Sequence, residues 1–306
     1  MRKYPISAED FQRRFSSQEA CLQYIYDLRW PGGVFCPRCG GVREVWNMSK
    51  GLYLCKECRS QISVTAGTIF QGTRKPLILW FRAMWYVASH EKRISASGLQ
   101  RILDLGSYET AWTWFHKLRC VMVSSSEDLL RGIVEIGDIY IGGEKRSKRC
   151  NGTERDTLVF VAAERDGKRI SRIRLHRVAD ASSSSLSSAV IMCVEPGSHV
   201  HTDESYGYLT IPSRYDHVVI RKKDDLGRDL LPLVGQVVSR LNSWLVRSYQ
   251  GSVRTSHIDF YLDEFTFRFN QGASKSQGKL FYKLMKNALT AGPVTGNQIR
   301  GGGSHR

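Results

Sequence analysis

The sequence predicts a mixed α/β chain built in three parts: a small β module bearing cysteines, a helical segment, and a larger domain of strands and helices. Three observations carry this. Two C-x-x-C pairs sit in a Gly-containing stretch of short strand-like segments. From Pro76 to Val123 the apolar residues recur at helical spacing, and beyond Leu130 the pattern changes to strands separated by turn residues. Residues that are 42% apolar and 24% charged give enough core-forming material for the whole chain to fold.

Forty-five Lys and Arg against 29 Asp and Glu leave a net charge of +16, a surface that repels itself unless a polyanion supplies counter-charge. Nucleic acid is the partner such charge selects. No run of 18 or more apolar residues and no basic amphipathic anchor is present, so a membrane is not expected as partner. The opening MRKYPISAEDFQRRF lacks the apolar core of a secretory signal. The expectation is an intracellular, cytoplasmic protein, associated with the nucleoid if the host is bacterial.

Taken in order, residues 1–32 are expected to hold an N-terminal helix. Ser16 and Glu19 form a capping-box pattern, Cys21, Tyr24, Ile25 and Leu28 recur at helical spacing, and the helix ends near Trp30 before PGG. Residues 33–72 read as short strands and turns. Residues 73–123 read as helices: Pro76 stands where one can start, LILWFRAMWYVASH is apolar on most sides, and ISASGLQRIL and YETAWTWFHKLRCVMV are joined by DLGS. That last pair has helix-turn-helix spacing.

Eight cysteines in 306 residues are too sparse for a disulfide scaffold. Cys21, Cys120, Cys150 and Cys193 are read as packing residues. Cys36, Cys39, Cys55 and Cys58 are different, because C-x2-C-x15-C-x2-C places each pair on a tight knuckle and lets four thiolates converge on one zinc ion. A site with four protein ligands has no open position, so its zinc is structural. Arg38, Arg43, Lys56 and Arg59 surround the ligands, which suits phosphate contacts.

Residues 124–270 begin with the polar joint SSSEDLL. Three strands follow (IVEIGDIYIGG, DTLVFVAAERDG, KRISRIRLHRV), then a helix near Ala181–Val194, strands at HVHTDES and HVVIRK, and a long helix over LLPLVGQVVSRLNSWLVRSY. That order is the order of an RNase H-like mixed sheet with flanking helices. Residues 271–306 contain no acid and carry Lys275, Lys279, Lys283, Lys286, Arg300 and Arg306, a basic C-terminal tail suited to phosphate that also reads as a solvated amphipathic helix over KLFYKLMKNAL with a disordered end at GGGSHR.

SVTAGTIFQGTRKPLILWFRAMWYV, AWTWFHKLR, VEIGDIYIGGE, GSHVHTDESYGY and YLDEFTFRFN run nearly end to end along the chain. Through them it resembles the insertion-sequence transposases of family 1595. The resemblance implies an N-terminal zinc ribbon and helix-turn-helix segment that bind double-stranded DNA at terminal inverted repeats. It further implies a DDE-type domain in which two carboxylates hold Mg²⁺ or Mn²⁺ for strand cutting and joining, and a homo-oligomer on DNA.

Carried over residue by residue, the second catalytic acid falls on Asp203. The first falls on Gly137, in Val134, Glu135, Ile136, Gly137, Asp138, Ile139, Tyr140. Asp138 is the neighbouring candidate, with Glu135 behind it. Strand side chains alternate faces, so Asp138 points away from the Gly137 face unless a bulge turns it back. On the long helix Arg240 and Asn242 stand where the family carries an acid or Asn and then Lys, and Gly235 where it often carries His. Asp259, Asp263 and Glu264 are read as part of a structural helix with Tyr261, Phe265 and Phe269 packed inward. Two functions follow: an active transposase using Asp203 and Asp138, or a non-catalytic DNA-binding protein derived from one.

Overall fold

In a computed structural model, the described residues are 3–89, 95–122, 129–142, 157–220, 231–249, 255–271 and 276–301. Cys150, most of the joint at 124–130, Lys275 and Arg306 lie outside them. The chain divides into two compact units, Met1–Met122 with Ala273–Gly301, and Val123–Gly272 with Gly302–Arg306.

The first unit starts with α1 (Ala8–Arg14) and α2 (Gln18–Arg29). The cap of α2 is Ser17 rather than Ser16, because Ser17 has the extended backbone that aims its hydroxyl at the Ala20 N–H, 3.2 Å away. A hairpin of β1 (Phe35–Cys36) and β2 (Gly41–Val42) follows, then an antiparallel sheet of β3 (Val45–Ser49), β4 (Leu52–Cys55) and β5 (Gln61–Ser63). Tyr53 of β4 docks this ribbon on α2, its ring 5.1 Å from Tyr26 and 5.7 Å from Trp30. Helices α3 (Leu77–Ser89), α4 (Ala96–Leu103) and α5 (Tyr108–Cys120) come next.

Two helices from the far end of the chain, α9 (Gln277–Thr290) and α10 (Gly296–Arg300), complete this unit. The stretch expected as a basic tail therefore contributes core. Phe281, Leu284, Met285 and Ala288 are buried at helical spacing, and the Phe281 ring lies 5.5–5.8 Å from Phe11, Phe15, Phe81 and Trp85. Gly278 permits the approach, since a Cβ there would stand 1.7 Å from the Pro5 carbonyl oxygen.

The second unit is a five-stranded sheet of β6 (Ile133–Ile141), β7 (Thr157–Asp166), β8 (Arg169–Arg177), β9 (His199–Thr202) and β10 (Asp216–Val219), in the order β10-β9-β6-β7-β8. β6, β9 and β10 pair in parallel, and β7 pairs antiparallel with both β6 and β8, so that β7 alone runs against the other four, the RNase H-like arrangement. Helix α6 (Ser183–Cys193) carries the crossover to β9. It buries Leu186, Ala189 and Val190 against Val134, Ile136, Leu158 and Phe160. Helices α7 (Pro232–Tyr249) and α8 (Ile258–Gln271) cover the opposite face, where Leu233, Val237, Leu241, Leu262 and Phe265 meet Val159, Val161 and Ile141. Both faces of β7 are covered, which is why its text is apolar at successive positions.

Candidate functional site

The four ribbon cysteines come from two knuckles. The Cys39 N–H points at Cys36 Sγ (3.5 Å), the Gly40 N–H reaches the Cys36 carbonyl, and Gly40 has φ +70°. In the second knuckle the Arg59 N–H reaches the Cys55 carbonyl with Arg59 at φ +59°. Cys36 Sγ lies 3.6 Å from Cys58 Sγ and Cys39 Sγ 3.8 Å from Cys55 Sγ, with all four sulfurs within 4.8 Å of one another. A tetrahedral ion with Zn–S bonds of about 2.3 Å requires S···S edges of about 3.8 Å, so the cluster fits zinc. Among the described residues it is the only group of three or more His, Cys, Asp or Glu side chains close enough to share an ion. The Ser60 hydroxyl beside Cys58 draws that thiol down to about 6. Cys21, Cys120 and Cys193 are buried, the packing role expected of them.

Of the surrounding cations, Arg43 pairs with Glu57 and Lys56 with Glu44, both at 2.8 Å, and the Arg59 guanidinium lies 4.4 Å from the centre of the Trp46 ring.

In the second unit the register decides where each acid points. β6 pairs with β7 without interruption from Val134↔Glu164 to Ile141↔Thr157, so no bulge occurs at Gly137. Val134 and Ile136 face α6; Asp138 shares their side and accepts a hydrogen bond from the Tyr208 hydroxyl at 2.8 Å. Glu135 and Gly137 face α7. The parallel pairing runs from Ile133↔His199 to Glu135↔His201, and β9 ends at Thr202, one residue before Asp203.

Asp203 is half-buried and its Oδ1 accepts the Ser205 N–H at 3.0 Å. A Cβ built on Gly137 would lie 3.0 Å from Val234 Cγ1 on α7, so the position where the family aspartate falls is filled from across the interface. Glu135 is fully buried and occupied: it pairs with Arg165 and accepts the Leu233 N–H at 2.8 Å, fixing the start of α7. Tyr208 is fully buried; burial, the charge and hydrogen bond of Asp138, and the charge of Asp203 all push its hydroxyl pKa up.

On α7, Gly235, Arg240 and Asn242 are exposed, and the Arg240 guanidinium lies 5.4 Å from the Phe269 ring centre. On α8, Asp259 lies 3.5 Å from Arg177 and Glu264 2.9 Å from Arg268; Asp263 is buried, and Tyr261 and Phe265 pack into the sheet-facing core. Sequence reasoning singled out neither Tyr208 nor Val234. Tyr208 belongs to the HTDESYGY stretch, but nothing local reveals that its hydroxyl reaches a strand 70 residues earlier.

Helices α4 and α5 are separated by a turn that starts at Asp104 in the left-handed conformation (φ +49°), and Ser107 caps α5 through the Thr110 N–H. Much of α5 is buried, Trp114 stacking on Trp80 with centroids 3.9 Å apart, while Tyr108 and Glu109 at its start are exposed.

A four-cysteine ribbon together with an RNase H-like sheet defines a transposase-type protein. A family model described as the transposase zinc-ribbon domain matches residues 16–61, and one described as the ISXO2-like transposase domain matches residues 129–270. The chain belongs to the insertion-sequence transposases of family 1595. An uncharacterized protein in transposable element ISH50 of Halobacterium salinarum is 28% identical over 148 residues, 47% of this chain and 47% of the relative. The chain thus spans about half the length of the curated relative it matches. No solved structure matches it. No helix among the described residues is long and apolar enough to cross a membrane.

Proposed function

We propose that this chain binds double-stranded DNA at the terminal inverted repeats of an insertion element, as a homo-oligomer, and does not cut it through a complete two-carboxylate centre. The net charge of +16 and the family's ribbon and transposase domains support DNA as partner. One observation carries the second half: on the α7 face of β6 stands Gly137 against Val234, while Asp138 is bonded to Tyr208 on the other face. Mg²⁺ or Mn²⁺ held by paired carboxylates would supply the activated nucleophile and stabilise the leaving oxygen, and with one of the pair missing neither is held in place.

A second reading, cutting by Asp203 with Asp138, draws support from Tyr208, whose hydroxyl is within electrostatic reach of both acids. The test is a Mg²⁺- or Mn²⁺-dependent nicking assay on terminal-repeat DNA. The proposal expects binding without nicking by the wild type. Nicking that disappears in both Asp203→Ala and Asp138→Ala would establish the second reading.

A further inference from the structure

A polar cavity of about 240 Å³ lies within the first unit between α5 and the short C-terminal helix α10, lined by Glu109, Thr110, Thr113, Trp114, Lys117 and Arg300 with Gly296. It is several times the roughly 30 Å³ share of a water. Thr113 and Lys117 follow Glu109 at four-residue steps and so share one face of α5. Trp114, buried and stacked on Trp80, gives the cavity a rigid floor.

Lys117 is half-buried and has no ion-pair partner among the described residues, and its burial pulls the ammonium pKa down. A desolvated cation at a polar cavity is stabilised by an incoming anion. Arg300 is held at the opposite wall. Ile299 beside it is fully buried, and Thr295 and Gln298 close a capping box at the start of α10. Arg300 donates to Glu109 and to Asn297 Oδ1, but both it and Glu109 are more than half exposed, so that pair is weak and the guanidinium keeps donors for a further acceptor. With Glu109 counted, the cavity still carries one net positive charge, plus the hydroxyls of Thr110 and Thr113.

We propose that Thr110, Thr113, Lys117 and Arg300 form a seat for one backbone phosphate of bound DNA, which makes α10 a working part of the helix-turn-helix segment. This rests on the DNA-binding reading above. The chemistry is that of a phosphodiester: two threonine hydroxyls, that of Thr110 shared with Ser107 at 3.3 Å, an ammonium and a planar fork line one polar space. It also accounts for the return of the C-terminal segment to the first unit, where it delivers Arg300 to a helix 191 residues earlier in the chain.

The test is fluorescence anisotropy of the full chain with a labelled terminal-repeat duplex, measured across a salt series. Lys117→Gln and Arg300→Gln are each expected to weaken binding about threefold to tenfold and to flatten the slope of log affinity against log salt by about 0.9, one phosphate contact. Lys117→Arg is expected to keep both. If Lys117→Gln fails to fold by thermal melting, Arg300→Gln and Thr113→Val carry the test, because Arg300 is exposed and the valine is isosteric. Wild-type affinity and slope in all folded neutral variants would overturn the seat and leave the DNA-binding reading standing. No binding by the wild type itself would overturn both.

Discussion

Gly137→Asp restores the family's residue and is expected to destabilise the second unit on its own. The new Cβ would stand 3.0 Å from Val234 Cγ1 and 3.9 Å from Val234 Cβ and Cγ2. Carbon atoms in contact prefer about 3.5–4.0 Å, so the nearest methyl must yield by a few tenths of an ångström. Overpacking of that kind costs about 1–3 kcal/mol. The carboxylate would also enter a buried position on the face that already holds the buried Glu135, which adds about 1–3 kcal/mol. Together the loss is about 2–6 kcal/mol, near 4 at the midpoint, or roughly 8–16 °C in melting temperature for a domain of this size. Val234→Ala in the same chain removes the clashing methyl, so the double variant should melt above the sum of the two single effects, with a coupling of about 1–2 kcal/mol. Differential scanning calorimetry of the four chains measures this. Wild-type stability in Gly137→Asp, or strict additivity with Val234→Ala, would refute the packing argument.

Other expectations follow from the same contacts. Stripping zinc with a chelator, or Cys55→Ser, should unfold the ribbon while the second unit melts unchanged, because the ribbon's small core relies on the metal; Co²⁺ reconstitution should give a tetrahedral thiolate spectrum, and a six-coordinate spectrum would contradict the site. Glu164 accepts the Arg131 N–H and pairs with Arg172 at 2.6 Å. Burial works against its charge, but those donors outweigh it and hold the carboxyl below its ordinary range. A depressed carboxyl stabilises the fold above its unfolded pKa, about 4.3, and loses that contribution as pH falls through the lower folded value. Urea melts should therefore show Glu164→Gln weaker than wild type at neutral pH and converging with it in acid; a gap that persists in acid would refute the linkage. Tyr208→Phe should cost about 1–2 kcal/mol by freeing Asp138 on the α6 face, and a neutral effect in denaturant titration would mean that the bond contributes nothing.

Much of this architecture was legible because it is local. The spacing of Cys36, Cys39, Cys55 and Cys58 specifies two knuckles, and the alternation along β6 by itself puts Asp138 on the face opposite Gly137. The RNase H-like class of the second unit followed from the succession of strands and helices after Leu130. What stayed hidden depends on residues far apart in sequence. Leu233 offers its N–H to Glu135 across 98 positions, and Val234 then falls over Gly137. The lysines of α9 read as a phosphate-binding tail because the partners of Phe281, such as Phe11 and Phe15, lie at the other end of the chain. The capping of α2 was misplaced by one residue because Ser16 and Ser17 are both good caps and only the backbone chooses between them.

The claim at the centre of this account is that the second unit lacks a complete carboxylate pair for a divalent ion. Mn²⁺ binding to the zinc-loaded full chain, followed by electron paramagnetic resonance, tests it most directly. No specific Mn²⁺ site is expected in the wild type, and a new one in the Gly137→Asp, Val234→Ala double variant that Asp203→Ala removes. A specific site in the wild type that is lost in both Asp203→Ala and Asp138→Ala would contradict it.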